Sequence, residues 1–119
     1  MPAFQLSKST FQRGIKCDKN LYLYKHHYSL KDPVSPEQQA LFDGGHKIGQ
    51  LAQKLFPGGV DASPSHYRMM EASVEKTQKL IATGHTIIYE AAFLFDEVIA
   101  ALDILVKDEE GWKGYEVKS

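Results

Sequence analysis

The sequence has a single cysteine, Cys17, so no disulfide can form within the chain, and a reducing cytoplasm is the expected compartment. It has no run of about 18 apolar residues, so no membrane partner is expected. Its opening stretch, MPAFQLSKSTFQRG, lacks the continuous apolar core of a secretory signal. Internal repeats and low-complexity tracts are also missing. Net charge is nearly absent too, at −1, but that figure conceals an uneven distribution. Residues 1–31 carry Lys8, Arg13, Lys16, Lys19, Lys25 and Lys31 against one acid, Asp18, for a balance of +5. The remaining 88 residues carry eight basic side chains against fourteen acids, for −6. Two explanations fit the basic segment: phosphate contacts or a solvated helix face.

The 119 residues, 43% apolar and 24% charged, suffice for one domain with a two- or three-layer core. The chain stops at Tyr115-Glu116-Val117-Lys118-Ser119, within a segment that reads as a strand. The expectation is a single domain over 1–119 that is truncated at its C-terminus.

Ser7 is placed to cap a helix through Phe11 and Ile15, which continues or restarts through Leu21–Tyr24. Ser35-Pro36-Glu37-Gln38 combines a cap, a first-turn proline and a capping-box glutamine. Leu41, Ile48, Leu51, Ala52 and Leu55 follow at helical spacing until Pro57-Gly58-Gly59. Gly44-Gly45 inside this helix costs about 1 kcal/mol per glycine, which points to close packing or a break. A third helix is expected from Ser63 or Ser65, with Met70, Val74, Thr77 and Ile81 on one face and Gly84 as its stop.

From Thr86 the period changes from helical to alternating. Thr86–Phe93, Val98–Val106 and Trp112–Lys118 read as strands, with turns at Phe95-Asp96-Glu97 and Asp108–Gly111. The fold class is α/β, or α+β: N-terminal helices packed on a mixed sheet that begins with an antiparallel three-strand meander.

The turns set expected registers. A hairpin centred between Glu109 and Glu110 places Asp103 opposite Glu116. One centred between Phe95 and Asp96 places Glu90 opposite Ala101, diagonal to Asp103. Directly paired residues share a face, and Lys118 follows Glu116 by the two-residue period. A slip of one residue in either hairpin scatters the group. Ile87, Tyr89, Phe93, Val98, Leu102, Ile104, Val106 and Val117 make the opposite face a core face. Ile88, Ile99, Ala101 and Leu105 make the acid-bearing face look covered as well. Carboxylates in covered rows are costly unless paired or metal-bound. Three of them beside a lysine favour a metal site over a structural ion cluster. Magnesium takes such oxygen ligands, with waters and phosphate completing its shell.

The spacing Asp103-x12-Glu116-Val117-Lys118, on a hairpin that follows helices, resembles the signature of the PD-(D/E)xK nuclease superfamily. Within it the chain is most similar to the RecB-like and CRISPR-associated exonuclease branch, and to an uncharacterised bacterial family there. The resemblance is carried by Leu6-Ser7-Lys8-Ser9, Cys17, the helix segment Gly45–Ala52 with Gly49, Leu55-Phe56-Pro57-Gly58-Gly59 and Glu116–Ser119. It implies a restriction-endonuclease-like fold and a nuclease hydrolysing DNA phosphodiesters with Mg2+ or Mn2+, in repair, recombination or phage defence. By that resemblance Asp103, Glu116 and the Val117 carbonyl are metal ligands, and Lys118 joins the acids as the catalytic lysine. Glu90 matches an acid on the preceding strand. His46 matches a metal-binding helix histidine, with a solvated helix histidine as the alternative. Lys8, Arg13, Lys16 and Lys19 would meet the DNA. Cys17 matches the first ligand of an iron–sulfur cluster, which only a longer chain could complete; otherwise it reads as a small buried residue. The Gln-x-x-x-Tyr helix that follows Glu-x-Lys in relatives would lie beyond Ser119. Alternatives to the nuclease are a catalytically incomplete nucleic-acid-binding module of the same fold and a plain structural domain.

Overall fold

The computed structural model describes residues 5–66 and 69–119. The chain folds as a mixed α/β unit with four α-helices and one four-stranded mixed sheet among the described residues.

The first helix, α1 (Lys8–Lys16), starts on the capping box formed by Ser7 and Thr10, in which each side chain bonds the other's backbone N–H. Cys17 is extended and restarts the chain as α2 (Asp18–His26), followed by a 3₁₀ turn over Tyr28–Leu30. Ser35 and Gln38 form a second capping box at the head of α3 (Pro36–Gln53). The glycine pair does not interrupt α3, and a Cβ added at Gly44 or Gly45 would meet nothing within 4 Å. Neither a break nor close packing explains these glycines.

Strand β1 (Val60–Asp61) runs parallel to β2 (Ile87–Phe95); β3 (Val98–Asp108) and β4 (Gly111–Tyr115) follow antiparallel, in the order β1-β2-β3-β4. The sheet therefore does not begin with the meander: the short parallel strand precedes it. The last strand also ends earlier than its composition predicts, at Tyr115 rather than Lys118.

Helix α4 (Met70–Ala82) begins later than Ser63 or Ser65. Asp61 accepts the Ser63 N–H in a tight Asx turn, and Pro64 follows it. Part of the expected helix, Tyr67 and Arg68, lies outside the described residues. Helix α4 covers β2. Leu80 and Ile81 pack on Ala62, Ile88, Ala91 and Leu105, while Met70 packs with Val74, Ala92 and Ile99. Two buried hydroxyls clamp the layers: Ser73 donates to the Ala62 carbonyl, and Thr77 accepts the Ala92 N–H at 3.0 Å. On the other side, the Tyr89 hydroxyl bonds the Gln53 and Phe56 carbonyls and the Gly59 N–H, holding the end of α3 to the sheet.

The far end of the β2–β3 hairpin is not core. Phe93 is 38% and Val98 49% exposed, and Ala101 is exposed too. The sheet is thus covered on both faces only near its centre. No helix among the described residues is long and apolar enough to cross a membrane.

Candidate functional site

The acids are positioned by two turns of different chemistry. In the β3–β4 turn the Asp108 carboxylate accepts the Glu110 N–H, and Gly111 takes φ +124°. Asp108 pairs with Gly111 and Ile104 with Tyr115, where the ladder ends; Asp103 and Glu116 are the next positions in that register but lie beyond the paired residues. The β2–β3 turn is instead centred between Asp96 and Glu97, both with positive φ (49° and 64°). That combination is a type I′ arrangement, whose usual Asn-Gly signature the sequence lacks. The register moves by two residues. Tyr89 pairs with Ile104 and Ala91 with Leu102, so Glu90 lies opposite Asp103, not Ala101.

Glu90 and Asp103 are the pair that this ladder skips. Glu90 holds a left-handed backbone, φ 56°, which costs a residue with a Cβ about 1–2 kcal/mol. Its half-buried carboxyl is pushed above the usual range, first by burial and then by the negative charges of Asp103 and Asp61. The His46 imidazole on α3 acts in the opposite sense. Asp61 is a contributor that the sequence reading missed. Its only signal was an acid two residues after the Pro57-Gly58-Gly59 stop, because a two-residue strand carries no period.

The outer acid is held differently. Leu6 bridges to Val98: its N–H donates to the Glu97 carbonyl, and its own carbonyl accepts the Ile99 N–H, each at 2.8 Å. This bridge sets the start of α1 beside β3 and brings the Lys8 ammonium to 2.5 Å from Glu116. Lys118 reaches the same oxygen at 3.0 Å. Hydrogen bonds from Lys8 and then Lys118 pull the Glu116 carboxyl down to about 2. Asp103 accepts the Val117 N–H at 2.7 Å, which orients its carboxylate. Among the described residues, no strand pairs with the β4 side of β3 between the Leu6 bridge and Asp103. There a groove of about 1330 Å³ opens, walled by Ala100–Asp103 and Glu116 on the sheet and by Ser7, Lys8, Tyr24 and Lys25 on the helical side.

The expected site residues therefore divide. Glu90, Asp103 and Glu116 follow one another across β2, β3 and the segment after β4, with Lys118 paired to Glu116 and the His46 charge acting on Glu90. They do not close on a common point: among the described residues, no three His, Cys, Asp or Glu side chains stand together as a ready-made metal site. Glu116 is turned to its lysines and Asp103 to the Val117 amide. In kind, the donors suit a hard divalent cation, since carboxylates dominate and Glu90 has two like-charged neighbours.

The basic candidates separate as well. Lys8 borders the groove, whereas Arg13 and Lys19 line a second cavity between α1 and α2; Lys16 lines neither. Cys17 is exposed rather than buried, and it is the one cysteine in the sequence. No family model matches the chain, and neither a curated protein nor a solved structure does.

Proposed function

We propose that the groove beside Asp103 and Glu116 is the reacting centre of a divalent-metal-dependent nuclease that hydrolyses DNA phosphodiesters. The observation that carries this reading is Glu90: a strained, half-buried carboxylate opposite Asp103 whose charged neighbours are mostly negative. Backbone strain and carboxylates with displaced pKa values concentrate at functional sites, where a bound cation relieves the repulsion. Asp103, Glu116, the Val117 carbonyl and Glu90 would hold Mg2+ or Mn2+, with His46 beside them. When bound, such an ion activates water and stabilises charge on the attacked phosphate. Lys118 supplies a point cation next to Glu116, placed to hold a phosphate oxygen or orient a water. Lys8 borders the groove from the opposite wall and offers the strand backbone a second cation. The restriction-endonuclease-like fold and the RecB-like resemblance belong to the same proposal.

A second reading is favoured by the engagement of Glu116 with two lysines and by the open donor set: a module that binds nucleic acid without turnover. Manganese titration and cleavage of a labelled oligonucleotide separate the two. The nuclease reading requires a manganese site that Asp103→Asn abolishes, together with cleavage lost in that variant. DNA binding with no cleavage by the native chain would establish the module instead. No metal binding at all would leave the acids as structural ion pairs.

A further inference from the structure

The second cavity, about 410 Å³, falls within the ~300–1,000 Å³ range of small-molecule sites. It lies away from the acids, between α1, α2 and the segment that follows them. Its lining brings together Arg13, Lys19 and Lys31 with the rings of Tyr24 and Tyr28, against one acid, Asp32. Among the described residues, no ion pair engages any of these three cations, whereas Lys8 and Lys113 both have carboxylate partners. An unneutralised cluster of this kind is a seat for an anion.

The aromatic half of the lining narrows the choice of anion. The Arg13 guanidinium lies 4.2 Å over the centroid of Tyr24 and donates to the Asn20 side chain at 3.2 Å, so its plane is already fixed. Tyr24 meets Tyr28 edge-on at 5.2 Å, and the Lys31 ammonium stands 5.6 Å from the Tyr28 centroid. Fixed guanidinium planes and tyrosine rings are the surfaces on which nucleobases stack. Phosphate-binding cations beside a stacking surface match a nucleotide better than a bare anion or an acidic side chain, which has no planar ring to cover. Tyr24 and Tyr28 also border the Asp103–Glu116 groove, so the two cavities adjoin through these rings.

We propose that this pocket is a nucleotide-binding subsite. Arg13, Lys19 and Lys31 hold a phosphate, the Arg13–Tyr24 stack and Tyr28 receive the base, and the nucleotide is one unit of a strand that continues into the groove. Continuity with the groove rests on Asp103 and Glu116 being the reacting centre; nucleotide binding itself does not.

The test is calorimetric titration of the full chain in EDTA with dAMP, deoxyadenosine, inorganic phosphate and a single-stranded octanucleotide. Because no cleavage is required, a failed nuclease assay leaves this result unaffected. The expected result is dAMP binding about tenfold tighter than either phosphate or deoxyadenosine, the product of a charge-assisted bond and a stack. Lys31→Gln and Tyr28→Leu should each weaken dAMP about tenfold, while Lys113→Gln, remote from the pocket, leaves it unchanged. Thermal melting verifies that the variants fold. The octanucleotide should compete with dAMP. Equal affinity for phosphate and dAMP, or no dAMP binding, would overturn the nucleotide assignment. Binding of dAMP without competition would overturn the strand and leave a free nucleotide as the ligand.

Discussion

Glu90 and Asp103 face each other across the one interruption in the β2–β3 ladder, and Glu90 keeps a left-handed backbone to do so. A carboxylate in that position is unfavourable for the empty fold, because burial and two negative neighbours oppose its charge. The same features make it a good partner for a cation. Glu90→Gln keeps the shape and removes the charge, so the metal-free variant should melt higher than the native protein. Each 1 kcal/mol of relief would correspond to roughly 4 °C in a chain of this size. Manganese should raise the native melting temperature and leave that of Glu90→Gln unmoved. A lower melting temperature in metal-free Glu90→Gln would show that the ionised carboxylate is stabilising after all.

Glu90 and Glu116 predict opposite responses to pH. The Glu90 carboxyl is raised, so its contribution to stability is complete below its ordinary value of 4.5 and is lost as pH rises through the higher folded value. The Glu116 carboxyl is lowered to about 2, so its contribution is present above 4.5 and is lost as pH falls towards 2. Carbon-detected NMR titration of the carboxyls should show Glu116 with a midpoint near 2 and Glu90 above 4.5. Lys8→Ala should move the Glu116 midpoint upward and leave Glu90 in place. An unshifted Glu116 in that variant would mean that Lys8 does not hold it in solution.

Much of this arrangement was legible because short-range chemistry dictates it. The boxes at Ser7-x-x-Thr10 and Ser35-x-x-Gln38 satisfy helix-end donors with neighbouring side chains, so the sequence alone locates both helix starts. The Asp108–Gly111 turn is equally local, and it sets the β3–β4 register as far as Ile104 and Tyr115. What escaped depends on distant partners. Asp96-Glu97 adopts positive φ without asparagine or glycine, so nothing local announced the two-residue shift that sets Glu90 against Asp103. β1 exists through pairing with Ile88 and Tyr89, not through any preference of Val60-Asp61. Phe93 and Val98 alternate like core residues, yet both are left exposed at the end of the hairpin. A hydrophobic pattern specifies which face turns inward, but not whether another layer reaches it.

Thr77 illustrates a role that a helical pattern conceals. It sits among the apolar positions of α4, fully buried, and its hydroxyl both donates to the Ser73 carbonyl at 2.8 Å and accepts the Ala92 N–H. Thr77→Val keeps the volume and leaves the Ala92 N–H without its partner, so it should cost about 1–3 kcal/mol in urea unfolding. Thr77→Ser restores the hydroxyl and should recover part of that loss. Equal stability of the native and valine forms would show that the Ala92 amide finds another acceptor.

Lys118 lies where chemistry and structure make different demands of the same ammonium. Its ion pair with Glu116 is solvent-exposed, with 72% and 56% of the two side chains accessible. Pairs of this kind contribute little to folding, because water already solvates both charges. Lys8 also remains on the same Glu116 oxygen when Lys118 is removed. Lys118→Ala should therefore melt close to the native temperature and retain its manganese site. If the ammonium meets the scissile phosphate or its attacking water, cleavage of a DNA oligonucleotide should fall about a hundredfold, the usual loss for one electrostatic group in a reacting centre. Lys118→Arg keeps the charge but replaces a compact ammonium with a planar fork, and should recover only part of the rate. A melting temperature that drops sharply while cleavage persists would make Lys118 a structural counter-ion of Glu116.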